Sequence, residues 1–239
     1  MRNQRPALFR GRRFADEIIV LCVRWYLRFF LSYRHLEELI TERNLGLDHT
    51  TVWRWVQRYA PELERPARRE LKRTGGSWRV DETCVRAAGQ WTYLYRAVDS
   101  TGATVDFYLS ANRDATAAKQ FFRQALAGVS HPRPRVINVD GNPSYPKVVE
   151  ELKQERRLGR RCRFRTCPCL NNIVEQDHRA IKRRINAKQG FRSFEAAQRT
   201  IQGYEVIPMI RKGQVRWLHK RDVAGHVLFI NQTLGLKAA

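Results

Sequence analysis

Between Asp16 and Tyr59 apolar residues recur at intervals of three and four, the spacing that lines one face of an α-helix. Ile18, Leu21, Cys22, Trp25 and Phe29 mark a first buried amphipathic helix, opened by Asp16 and Glu17 where the macrodipole favours negative charge. Tyr33 to Asn44, with Leu36, Leu39 and Ile40 on one side, predicts a second. Gly46 interrupts the pattern, Asp48 offers an N-cap, and Val52, Trp55, Val56 and Tyr59 predict a third. Helix, short glycine-containing turn, helix is the helix-turn-helix pattern, although a plain helical hairpin needs the same spacing. In a DNA reader the second helix of the pair offers its N-terminal residues to the major groove, here His49, Thr50, Thr51, Arg54 and Arg58. Pro61, Pro66, the basic run 65–73 and Gly75-Gly76 end this module.

The period then changes to two. Trp78 to Arg86, Gln90 to Val98 and Ala103 to Leu109 are short runs separated by turn residues, and they predict a three-stranded meander. In the second run Trp91, Tyr93 and Tyr95 alternate with Thr92, Leu94 and Arg96, as in a half-buried antiparallel strand. Asp114 to Leu126 predicts a helix through Ala118, Phe121, Phe122 and Ala125. Val136 to Val139 is a short apolar run of the kind buried on both faces, and Asp140 lies at its C-terminal end, the edge where open α/β sheets bind ligands. Pro143 to Glu155 predicts a helix, and a further short strand fits near Arg163 to Thr166. Leu170 to Ile185 predicts another helix, with Val174, Ile181 and Ile185 on one face and Glu175, His178, Arg179 and Lys182 on an adjacent exposed stripe. A last long helix runs from Ser193, its N-cap, to Lys212 and is kinked at Pro208. The order βββαβα is that of the ribonuclease H-like fold, an α/β mixed sheet flanked by helices, here preceded by a small all-α domain. The expected ranges are a basic arm over 1–14, a helical DNA-binding domain over 15–75, a catalytic domain over 76–213 and a tail without assigned role over 214–239.

Charge narrows the partner. The chain holds 45 Lys and Arg against 23 Asp and Glu, a net charge of +22. Residues 151–221 alone carry 19 basic and 6 acidic side chains. Such a field suits a polyanion, because each phosphate contact releases counterions whatever the base sequence. A basic ribosomal or membrane-surface protein shares the composition, so charge points to nucleic acid without saying why it is bound. Arg24 and Arg28 break the one long apolar run, which excludes a bilayer span there. Five cysteines and no evident signal peptide imply a reducing, cytoplasmic setting. Cys162, Cys167 and Cys169 are spaced C-x4-C-x-C, irregular for structural zinc, and are read as incidental.

Three acids then form one question: Asp81 inside the first strand, Asp140 at the end of the fourth, and Glu175 on the basic helix. Asp81, then 58 residues, Asp140, then 34 residues, Glu175, with Lys182 seven positions on, resembles the DDE signature of bacterial insertion-sequence transposases. The phrases SYRHLEEL, DHTTVWRWVQRYAPEL, WRVDET, YLYRAVDSTG, NVDGNPSYP, LNNIVEQDHRAIKRR, RTIQGYEV and RKGQ are similar to the wording of the insertion sequence six family across roughly residues 15–217. The resemblance implies an enzyme that binds the terminal inverted repeats of its own element, frees 3′-hydroxyls and joins them to target DNA, by replicative transposition through a cointegrate. It also implies a homo-oligomer, at least a dimer, because two DNA ends are joined.

The residue chemistry agrees. Phosphodiester transfer builds charge on the attacking and leaving oxygens, which two divalent ions stabilise together, and hard Mg²⁺, or Mn²⁺ in its place, takes carboxylate oxygens. Asp81, Asp140 and Glu175 are the expected ligands of two ions. Lys182 lies about 700° from Glu175 around the helix, so it points the same way and suits a substrate phosphate, with His178, Arg179 and Arg183 as further DNA contacts. Asp99, Asp106 and Asp177 are read as turn or capping residues. The alternative to an active transposase is a non-catalytic DNA-binding regulator or a decayed transposase that uses the helix-turn-helix. A ribonuclease H-like nuclease is a weaker third.

Overall fold

The computed structural model describes residues 6–128, 131–186 and 190–236. Its regular elements are α1 Asp16–Arg28, α2 Tyr33–Thr41, α3 His49–Tyr59, α4 Glu64–Arg69, β1 Ser77–Ala87, β2 Gln90–Asp99, β3 Thr104–Ser110, α5 Ala115–Ala127, β4 Val136–Val139, α6 Ser144–Gln154, β5 Arg163–Thr166, α7 Asn172–Asn186, α8 Phe194–Arg211 and α9 Val223–Thr233. Packing divides the chain into two compact units, Met1–Leu71 with Glu195–Ala239, and Lys72–Phe194. Among the described residues no helix is long and apolar enough to cross a membrane.

The helical unit is assembled from both ends of the chain. Ser32 caps α2 in a reciprocal box, its Oγ accepting from the His35 N–H at 3.0 Å while His35 Nδ1 accepts from the Ser32 N–H. Asp48 caps α3 by accepting from the Thr50 N–H at 2.7 Å. These two caps start the second and third helices where the spacing expects them. The buried face of α1 is Ile19, Cys22, Val23, Tyr26 and Leu27, rotated from the expected one; Ile18, Leu21 and Trp25 are half-buried, and Phe29, beyond the helix end, is 44% exposed. The rotation has a cause outside α1. Tyr26 stacks on Tyr204 of α8, and Leu27 lies against Gly203, so α8 recruits residues that the local pattern of α1 does not single out.

α8 is buried almost all round, which makes it the core helix of this unit rather than a flank of the sheet. By packing, the division between the two units falls at 194/195, so α8 lies with the helical unit. Gln57 of α3 donates to the buried Thr200 hydroxyl at 2.9 Å, a second tie from α8 to the helix-turn-helix. The tail that carried no expected role folds as α9, capped by Asp222, which accepts from the Gly225 N–H at 2.7 Å.

The second unit is built on a five-stranded sheet of order β3-β2-β1-β4-β5. β1, β2 and β3 pair antiparallel, β4 runs parallel to β1, and β5 parallel to β4. This is the ribonuclease H-like arrangement that the βββαβα order predicts. One face carries the apolar core, in which Trp78, Val80 and Tyr95 meet Phe121 and Phe122 of α5 and Val149 and Leu152 of α6. α7 covers β1 and β2 on the other face. Consequently β2 is not half-buried: Leu94 to Asp99 are all buried, Arg96 to 1%, and only its hairpin end, where Trp91 is 61% exposed, meets water. β4 is also less uniform than expected. Its buried Asn138 donates to the Cys167 carbonyl at 2.9 Å and to Asn171 Oδ1 at 2.7 Å.

Gly203 marks a close helix contact in the first unit. A Cβ there would stand 2.7 Å from Leu27 Cδ2 and 2.9 Å from Ala60 Cβ, inside a core that has no slack. Gly203→Ala gains helix propensity, worth about 1 kcal/mol, but overpacking costs about 1–3 kcal/mol, so the variant is expected to lose stability. A lowered urea midpoint at unchanged slope is the expected result.

Candidate active site

The alternation of β1 decides which acid faces what. Trp78, Val80 and Glu82 point to the α5–α6 side, and Arg79 and Asp81 to the α7 side. Asp140 follows directly on β4, the parallel neighbour of β1, and the register that sets Arg79 beside Asn138 brings it next to Asp81. Ligand oxygens of Asp81, Glu82 and Asp140 lie within 4.8 Å of one another. Asp81 is consequently hard to ionise. Burial, then the Glu82 charge, with Glu175 contributing further on, raise its pKa from 3.8 to about 6.

Glu82 was not anticipated as a site residue. Its carboxylate accepts from the Tyr145 hydroxyl, from Asn142 Nδ2 at 2.6 Å and from Arg113, whose NH2 lies 2.6 Å away. With both oxygens engaged, Glu82 ties the loop after Asp140 and the first turn of α6 to β1. The visible signal was the acidic pair at 81–82, which alternation alone sends to opposite faces.

The start of α7 is held just as firmly. Asn171, fully buried, donates to the Val80 carbonyl at 3.2 Å and accepts from Asn138, and Arg79 Nε donates to the Leu170 carbonyl at 3.0 Å. The LNN phrase is thus a polar staple between β1, β4 and the helix that carries Glu175. Glu175 sits in the first turn of α7, its Oε2 3.8 Å from Arg179, and it stands outside the three-acid cluster while its charge acts on Asp81. The structure therefore brings Asp81 and Asp140 together and leaves Glu175 beside them.

Lys182, Arg179 and Arg183 are exposed on α7. His178 is not, which corrects its expected place on the exposed stripe and as a DNA contact: it is 5% exposed and its Nδ1 lies 3.2 Å from Asp81 Oδ2. Burial, then the charges of Arg96 and Lys182, push its pKa down to about 3, so the imidazole is neutral at pH 7. Asp177, expected to be a capping or turn residue, instead meets the buried Arg96 of β2 at 3.3 Å. Among the helix-turn-helix positions, Arg54 and Arg58 are exposed, Thr51 is half-buried, Thr50 bonds to Asp48, and His49 Nδ1 lies 3.0 Å from Glu37. Cys162 is buried in the core and Cys167 half-buried, and no cysteine belongs to a metal-ligand group among the described residues.

The oxygen-only donor set fits a hard divalent cation better than zinc or copper, and the raised Asp81 pKa marks a buried carboxylate beside like charges. Comparison with known proteins then decides the family. The IS240-type transposase family model described as a DDE domain matches residues 75–214. The chain belongs to the insertion sequence six family of DDE transposases. It is 36% identical over 210 residues, 88% of this chain and 91% of the relative, to the transposase for insertion sequence-like element IS431mec of Staphylococcus aureus. The same identity and coverage relate it to the transposase for insertion sequence element IS257 in transposon Tn4003 of Staphylococcus aureus. Among solved structures, the HTLV-2 integrase catalytic core domain in complex with magnesium is 16% identical, covers 63% of this chain and 99% of that chain, and superposes at a TM-score of 0.43. As a DDE transposase the chain is a polynucleotidyl transferase.

Because the folded transposase holds the Asp81 proton more tightly than the unfolded chain does, ionising Asp81 costs stability as pH rises from about 4 to about 6, on the order of 3 kcal/mol. In EDTA, the stability of Asp81→Asn relative to the parent protein should therefore rise across that window and level off above it. Urea unfolding at stepped pH reads the difference.

Proposed function

We propose that this transposase binds the terminal inverted repeats of its insertion sequence through α2 and α3, cuts to free 3′-hydroxyls, and transfers them to target DNA. Asp81, Asp140 and Glu175 are the metal ligands and Lys182 is the phosphate contact beside them. The observation that carries this reading is the convergence of Asp81 and Asp140 at one sheet edge, next to the helix that bears Glu175 and an exposed row of cations.

Asp81 and Asp140 offer carboxylate oxygens from two parallel strands, and Glu175 completes the set from the first turn of α7. Two Mg²⁺ ions held there, or Mn²⁺ in their place, supply Lewis acidity to the attacking and leaving oxygens. Lys182, Arg179 and Arg183 hold the scissile backbone against that edge by phosphate contacts, which carry affinity without base preference. Arg54 and Arg58, one helical turn apart and exposed on α3, are the best placed of the helix-turn-helix residues to reach base edges; His49, Thr50 and Thr51 support them from the capped first turn. The reaction is replicative and passes through a cointegrate. It requires a homo-oligomer, at least a dimer, to hold two ends. The enzyme acts on nucleoid DNA in the bacterial cytoplasm.

A strand-transfer assay with a labelled duplex carrying the flanking inverted repeat tests the assignment. Asp81→Asn, Asp140→Asn and Glu175→Gln should each reduce joined product at least a hundredfold with end binding within about twofold of the parent. Joined product persisting in any of the three overturns the ligand set, and tight end binding with no cleavage by the parent protein in Mg²⁺ or Mn²⁺ points to the DNA-binding regulator.

Arg54→Ala should weaken binding to the specific ends about tenfold or more, against a small loss on random duplex, as expected for a base contact worth about 1–3 kcal/mol. Equal losses on both duplexes would mean that α3 reads phosphates only. Competitive gel-shift measurements at one salt concentration separate the two.

A further inference from the structure

Arg96 and His178 both stand beside Asp81, and they differ in kind. Arg96 is its direct cross-strand partner in the β1–β2 ladder, and His178 descends on it from α7. A guanidinium in that position is the obvious counter-charge for a buried carboxylate. Here Arg96 NH2 meets Asp177 Oδ2 at 3.3 Å, and the group lying against Asp81 Oδ2, at 3.2 Å, is the His178 imidazole. The other oxygen, Oδ1, accepts the Glu82 N–H at 2.9 Å.

We propose that His178 is a positioning residue for Asp81: its Nδ1–H holds Oδ2, as the Glu82 N–H holds Oδ1, and so sets the carboxylate to receive a divalent cation. The inference rests on the reading of Asp81 as a metal ligand. A permanent cation on Asp81 would satisfy the carboxylate and compete with the metal. An imidazole supplies one directional donor and no permanent charge, while the nearby guanidinium of Arg96 pairs with Asp177. With Nδ1 as donor, Nε2 is an acceptor, and it is buried with no partner among the described residues. Buried polar atoms are rarely left so, and the cost is understandable if the other ring nitrogen has a task. Outer groups that orient ligand carboxylates commonly govern metal affinity ten- to hundredfold.

The two ring nitrogens make the idea testable with polar side chains alone. The side-chain amide of Asn places an N–H near the Nδ1 position, and that of Gln places one near Nε2. We would measure Mn²⁺ binding to the full-length protein by electron paramagnetic resonance of the free ion, beside urea unfolding and strand transfer. His178→Gln is expected to weaken Mn²⁺ binding at least tenfold, and His178→Asn to stay within about threefold of the parent, whatever their urea midpoints. Equal Mn²⁺ affinity in the Asn and Gln variants, or parent affinity in the Gln variant, overturns the inference. Asp81→Asn is the control that separates the two levels: if it too leaves Mn²⁺ binding intact, the ligand assignment falls with the inference, and if it alone abolishes binding, only the role of His178 falls.

Discussion

Mutual repulsion among carboxylates is the constraint on which this catalytic unit depends. At about 4.8 Å two like unit charges near a protein surface repel by roughly 3 kcal/mol, and Asp81, Glu82 and Asp140 meet at that separation with Glu175 alongside. One hydrogen bond to a charged group returns about 1.5–3 kcal/mol, so no single contact offsets the cluster. The fold uses several. Tyr145, Asn142 and Arg113 share the Glu82 charge, the Asn138–Asn171 staple fixes the approach to α7, and the Arg96–Asp177 pair pins that helix to β2. Asp81 carries the rest of the cost: burial first, and the Glu82 charge second, raise its pKa.

Much of this was legible in the chain itself, and the reasons are local. The strands at 77–110, the helix at 115–127 and the helix at 172–186 follow from apolar spacing, which operates within one element. Asp140 was found because it ends an apolar run, and strand ends are where parallel sheets expose ligands. What escaped depended on partners far away in sequence. The buried face of α1 is chosen by α8, the second face of β2 is buried by α7, and the helix at 194–211 joins the helical unit because its apolar residues run all round it.

Within the site the same division holds. Spacing placed His178 three residues after Glu175 and beside Arg179 and Lys182, and a basic stripe was the natural reading. Whether one member of such a stripe turns inward depends on what lies beneath it, here an aspartate on β1 that no helical wheel contains. Asp177, two residues and so about 200° around the helix from Glu175, reaches Arg96 instead. Residues that serve the site from its underside are invisible to a search for convergent acids, since their partners are single, buried and distant in sequence.

The helical unit needs both ends of the chain, because α8 and α9 are made after the whole catalytic unit. A ribosome that stops, or a reading frame that shifts, anywhere before residue 194 releases α2 and α3 without the helix that packs beneath them. Such a fragment lacks the Thr200 partner of Gln57 and leaves Leu27 and Tyr26 open to water. Incomplete translation products thereby lack a packed helical unit, which is completed only in chains whose catalytic unit has already been made.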